Sequence, residues 1–113
     1  MTMNYIDIDS SQHELYDSWR KLYTVSFPIF EQRTQEQQEK AFSCADYHLG
    51  GYSEGDMFVG FISYWEFSSY RYIEHFAVHQ GLRGRGYGSK ILNAFLRSTS
   101  KIVLLEIDPV VDS

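Results

Sequence analysis

Residues 82–92 read LRGRGYGSKIL, with three glycines and two arginines inside residues 82–88 and helical apolar spacing after them. The loop falls between a strand ending near Val78 and a helix beginning near Gly86. A helix N-terminus presents unpaired N–H groups and a partial positive charge, which makes it an anion site. Gly84, Gly86 and Gly88 remove Cβ atoms, so that a phosphate can come close to the backbone. Arg83 and Arg85 can add charge-assisted hydrogen bonds. The chemistry indicated is capture of a phosphate or pyrophosphate, and three nucleotide readings compete. A P-loop needs Gly-Lys-Ser/Thr, whereas here Ser89 precedes Lys90. A dinucleotide fingerprint fits at Gly84 and Gly86, with Glu106 at about the ribose-contact distance, but Ser89 takes the third glycine's place. The third reading is a loop that grips the pyrophosphate of an acyl-CoA.

The elements that would position this loop follow from periodicity. "YIDID" alternates and reads as a short strand. Ser11 and Glu14 have capping-box spacing ahead of a helix with Leu15, Trp19 and Leu22 on one face, closed near Pro28. A second helix is predicted over residues 34–42, with "EQRTQEQQEK" as its wet face. From Tyr47 the period is two: "YHLGGY", "MFVGFISYWEF" and "YRYIEHFAV" form an antiparallel meander joined by short turns. Ile91, Leu92, Phe95 and Leu96 mark the buried face of the helix after the glycine loop. "KIVLLEI" is nearly all apolar, as for an inner strand covered on both faces. Strand, helix, strand implies a parallel pair with a right-handed crossover. The fold class is therefore α/β (an α+β mixed sheet): a meander first, then one βαβ unit, in a single domain over residues 1–113.

Composition bounds the function. The chain has 113 residues, 17% aromatics and a formal net charge of −5, which argues against a general affinity for nucleic acid. No apolar run is long enough to span a bilayer, and "MTMNYIDIDS" lacks the regions of a signal peptide, so no membrane partner is expected. The single cysteine, Cys44, allows no internal disulfide and fits a reducing, cytoplasmic setting. Near a helix end, it reads as a core thiol. His75 and His79 do not suggest a metal, since four residues of strand span about 13 Å. No metal is expected.

Arg83-x-x-Gly86-x-Gly88 matches the Q/R-x-x-G-x-G/A signature of the GNAT N-acetyltransferase superfamily. "YIEHFAVHQGLRGRGYGSKIL" resembles that family's fourth strand, pyrophosphate loop and third helix in one unbroken piece. The resemblance runs in order through two N-terminal helices, the meander and "LLEID" as a fifth strand. It implies acetyl-CoA as cosubstrate, with its pantetheine arm bonded like an added strand to Phe76, Ala77 and Val78. Amides of Arg83, Gly84, Arg85, Gly86, Tyr87, Gly88 and Ser89 would hold the pyrophosphate. A backbone N–H near Val78 would polarise the thioester carbonyl. The reaction implied is direct attack by an amine. A free alkyl amine, with pKa near ~10.4, must first lose a proton to a base. Tyr72 and Glu74 share a strand face by alternation. The family often places its base there, so Glu74 is the first choice as base, with Tyr72 lining the acceptor pocket and Glu106 the second choice.

The family usually continues past the fifth strand with a helix and two more strands, and with a tyrosine that serves as general acid. Here the sequence reaches only "DPVVDS", and no tyrosine follows Tyr87. Two functions therefore stand: an N-acetyltransferase acting on a small-molecule or peptide amine, or a non-catalytic acyl-CoA-binding module. The acidic balance favours a cationic acceptor. Apolar surface on residues 102–107 would lie bare on one side and leave an open edge, so a two-fold homodimer through it is expected.

Overall fold

A computed structural model describes residues 3–105 of the chain. β1 (Met3–Asp7) leads into α1 (Tyr16–Ser26), a 3₁₀ turn (Ile29–Glu31) and α2 (Gln35–Phe42). β2 (Tyr47–Glu54), β3 (Met57–Glu66) and β4 (Tyr70–Val78) form the meander. A second 3₁₀ turn (Gln80–Leu82), α3 (Tyr87–Arg97) and β5 (Ile102–Leu105) complete the βαβ unit. The sheet runs in chain order, β1-β2-β3-β4-β5, antiparallel throughout except for the parallel β4–β5 pair. The mixed α/β sheet with its meander and crossover is the architecture the periodicity predicts. Among the described residues, no helix is long and apolar enough to cross a membrane.

A two-faced sheet gives two cores. Tyr16, Trp19, Leu22 and Tyr23 of α1 and Ala41 of α2 pack on Leu49, Phe61 and Ala77 of one face. Ile91 and Phe95 of α3 pack on Val59, Ile62, Tyr64 and Ile73 of the other. Their spacing, three and four residues apart, is that of a single helical stripe. Burying each such side chain stabilises the fold by about 1.5–3 kcal/mol.

Several local expectations are corrected. Ser11 and Glu14 do not cap α1: Leu15 holds the N-cap position with no side-chain cap, and the His13 ring nitrogen Nδ1 accepts from the Leu15 N–H at 3.0 Å. The capping box belongs to α2. Thr34 accepts from the Gln37 N–H at 3.1 Å, and Gln37 accepts from the Thr34 N–H at 2.8 Å. The polar run is not wholly wet, because Gln38 is fully buried and donates to the Tyr47 hydroxyl at 3.0 Å. Leu96 is exposed, and so is Cys44, which therefore does not serve as a core thiol.

The largest correction concerns β5. Among the described residues it is not an inner strand covered on both faces, whereas the bare apolar surface and open edge expected of this strand are present at Ile102–Leu105. Ile102 is 68% exposed, and Leu104 and Leu105 are exposed with it, while Val103 alone packs against the α3-side core. An apolar run therefore does not by itself place a strand inside a sheet. Position in the strand order does, and among the described residues β5 stands at the edge.

Candidate active site

β4 carries the site, and one extra residue shapes it. Ser63 of β3 stands opposite His75 and Tyr64 stands opposite Ile73, so Glu74 has no partner of its own and forms a bulge. Ile73 packs in the α3-side core. Strict alternation would carry His75 to that side as well. Instead its ring lies edge-on to Tyr23 of α1 and to Phe27, with centroids 5.1 and 4.7 Å away. Glu74 points to the same side and pairs with Arg33, whose guanidinium lies 5.1 Å from the Tyr47 ring centre. Tyr72 is opposite Trp65, which meets Tyr47 edge-on. Tyr72 and Glu74 thus share a face, as expected, and the bulge adds His75 to it. The sequence marks His75 only as a metal ligand to be set aside, and it leaves Arg33 in a polar run. "YRYIEHFAV" has no glycine or proline to announce a bulge, and Arg33 is 41 residues from Glu74. Glu106, the second carboxylate considered, lies outside the described residues.

Burial pushes His75 below its ordinary value of 6.5; the Arg33 charge acts the same way, while Glu74 and a backbone hydrogen bond to Glu31 oppose them. Its Nδ1 sits 3.3 Å from the Ser63 hydroxyl and 3.6 Å from Glu74 Oε1. The folded chain therefore binds this proton less readily than the unfolded chain. The linked stability is present above pH 6.5 and is lost as pH falls from there through the folded value. Urea midpoints measured down the acid range should fall below about pH 6.5. In His75→Gln that part of the slope should be absent. An unchanged acid slope in the variant would remove His75 as its source.

Past the bulge the described part of β5 has ended, at Leu105. β5 pairs with β4 only from Tyr70 to Ile73, so among the described residues 74–78 lack a partner on that edge. The direction of the peptides follows from two contacts. The His79 N–H donates to Val59 O at 2.7 Å, and Ala77 O would lie 2.5 Å from a Cβ at Gly60. Ala77 and His79 thus turn their peptide groups to β3. Successive residues alternate, so Phe76 and Val78 turn theirs to the open edge. Val78 O there accepts from Arg83 Nε at 3.3 Å.

This edge borders a cleft of about 380 Å³. Of the residues named for the cofactor, Phe76, Ala77, Val78, Arg83, Gly84, Gly86, Tyr87 and Gly88 line it; Arg85 and Ser89 do not, and neither do Tyr72 and Glu74. The opposite wall is Ser26 and Phe27. Gly84 and Gly86 have φ of +80° and +81°, a region that strains any other L-residue. A Cβ on either would meet nothing within 4 Å, so backbone conformation rather than crowding requires glycine there. Gly88 differs, since a Cβ would stand 3.7 Å from Val78 Cγ2, against the cleft wall. Gly86 is the N-cap of α3, and no acidic side chain occupies the first turn. The N–H groups of Tyr87, Gly88 and Ser89 have no acceptor within the helix. Tyr87 donates its hydroxyl to Glu54 at 2.9 Å, a bond that raises the phenol's pKa and keeps it protonated. The arrangement can seat an extended chain along β4 and an anionic group at α3.

Comparison with known proteins gives the family and the fold. The profile of the acetyltransferase (GNAT) family matches residues 13–105. A solved protein from Bacteroides thetaiotaomicron, described as an acetyltransferase of the GNAT family, is 29% identical with a TM-score of 0.87. The match covers 96% of this chain and 62% of that one. This chain thus spans less than two thirds of that relative's length. A ribosomal-protein-alanine N-acetyltransferase from Brucella melitensis biovar Abortus 2308 shares the fold at 17% identity and a TM-score of 0.67, over 95% of this chain and 81% of its own. AAC(6')-Iy, solved with a bisubstrate analogue, CoA-S-monomethyl-acetylneamine, shares it at 14% identity and a TM-score of 0.65, over 96% of this chain and 82% of its own. No curated protein matches the chain.

Proposed function

The chain belongs to the acetyltransferase (GNAT) family, and from that premise we propose that it transfers an acetyl group from acetyl-CoA to a primary amine. The observation that carries the reading is the pair of outward-turned peptides at Phe76 and Val78, beside a cleft that ends at the glycine loop. Outward peptide groups at Phe76 and Val78 offer the bonds that an extended, amide-bearing arm needs. The first-turn amides of α3 suit a pyrophosphate. The cleft's apolar wall, formed by Phe27, Phe76 and Ala77, suits the alkyl stem of the arm.

In this reading the Val78 N–H polarises the thioester carbonyl as the amine nitrogen attacks. The C–N bond forms, the C–S bond breaks, and the CoA sulfur departs with the electron pair. Glu74 takes the proton that the amine sheds, directly or through one water. Arg33 holds the Glu74 carboxylate in place. Tyr72 lines the acceptor side of the same face. A panel of amines can begin with neamine and with a ribosomal-protein alanine, after the descriptions of the two solved neighbours.

Two measurements test the proposal together. Acetyl-CoA or CoA at about 100 times its Kd should stabilise the fold by ~2.7 kcal/mol. Release of free thiol should then depend on an added primary amine. Absence of both a thermal shift and a calorimetric signal at millimolar ligand would overturn the acyl-CoA reading. Binding without turnover across the panel would leave the other function, an acyl-CoA-binding module.

A further inference from the structure

Serine and threonine hydroxyls near helix ends commonly bond back to a carbonyl one turn earlier. Among the described residues Thr24 bonds to Lys21 O at 3.1 Å, Ser43 to Lys40 O at 2.6 Å and Ser98 to Phe95 O at 2.6 Å. Ser26, the last residue of α1, does not. Its hydroxyl oxygen is shut from solvent and has no hydrogen-bond partner among the described residues. A buried hydroxyl left in that state costs stability, and a fold that keeps one calls for an explanation.

The location supplies it. Ser26 borders the same cleft as the open edge of β4. Beside it, Phe27 touches His75 and Phe61, and Phe61 is the strand partner of Ala77. Phe27 therefore stands over β4. Phe27 and Ala77, which line the cleft with Ser26 and belong to the α1-side core, are apolar. A polar group on a ligand lying there has the outward peptides of β4 on one side and the Ser26 hydroxyl on the other. The hydroxyl has no bonded base to activate it, so a covalent role as nucleophile is not indicated.

We infer that Ser26 is a binding residue for the acyl-carrying arm, donating its hydroxyl to a carbonyl oxygen of that arm, either the thioester carbonyl or a pantetheine amide. A turn about χ1 brings the hydroxyl from its buried position to the cleft, where it gains the partner it lacks in the free protein. The inference rests on the acyl-CoA reading of the cleft and adds to it a residue outside the signature motif.

Ser26→Ala separates this role from a structural one, because its two effects run in opposite directions. The free variant should melt at a higher temperature than the wild type, having lost an unsatisfied hydroxyl. Its Kd for acetyl-CoA should rise about 3- to 10-fold, the worth of one neutral hydrogen bond. Ser26→Thr, which keeps the hydroxyl, should recover part of that affinity. An equal loss with CoA identifies an amide carbonyl as the partner, and a loss confined to acetyl-CoA identifies the thioester carbonyl. An alanine variant that binds both ligands as tightly as the wild type overturns the inference while leaving the acyl-CoA reading intact. A wild type that binds neither ligand overturns both.

Discussion

Gly86→Val should raise the Kd for CoA by at least about 100-fold while leaving a cooperatively folded protein. Two effects combine. Gly86 sits at φ +81°, where a β-branched residue is strained by roughly 1–3 kcal/mol. Relief of that strain swings the loop and turns the first-turn amides of α3 away from the phosphate position. Loss of two charge-assisted hydrogen bonds, at about 1.5–3 kcal/mol each, already exceeds the ~2.7 kcal/mol that corresponds to 100-fold. The fold should survive because Gly86 is exposed and a Cβ there meets nothing within 4 Å. Titration calorimetry gives the affinity, and a urea melt on the same sample gives the stability. A Kd within about threefold of the wild type would mean that the glycine loop does not hold the anion.

Glu74→Gln should lower kcat by roughly 10²–10³ and leave the CoA affinity nearly unchanged. Glutamine keeps the size of the side chain and an oxygen for Arg33 but cannot take a proton. Glu74 does not line the cleft, so ligand binding has no reason to change. The pH–rate profile of the variant should differ from that of the wild type. Near-full kcat with an unchanged profile would remove Glu74 as the base, leaving Glu106 or a water relay. His75 also enters at that point, since the bulge sets its Nδ1 3.6 Å from the Glu74 carboxylate.

Much of this architecture is written in local pattern. Alternation in "MFVGFISYWEF" finds β3, and the glycine-arginine cluster finds the α3 N-terminus, because strand and helix periods and left-handed glycines are short-range properties. The elements that escape are long-range. Whether "KIVLLEI" lies inside a sheet or at its edge depends on what stands beside it, which its own residues do not encode. Ser11 and Glu14 have the spacing of a capping box, yet α1 begins at Tyr16, one turn too late for them. The bulge at Glu74 arises from the β3–β4 register, so His75's face cannot be read from β4 alone. Arg33 and Ser26 reach the site only because α1 and its following loop fold over β4.

The chain has two tryptophans, and both lie on the same side of the sheet. Trp19 stacks on Tyr23 at 4.9 Å, and Trp65 packs at the edge of the same core. The α3 side holds Tyr52, Tyr64 and Phe95 but no indole among its described residues. The protein is optically one-sided. Indole emission reads the α1–α2 layer, where Tyr23 links Trp19 to His75 beside the bulge, and it carries little news of the opposite layer. A fluorescence melt and a circular-dichroism melt therefore observe different halves of one molecule, and their coincidence would be direct evidence that the two cores dissolve together.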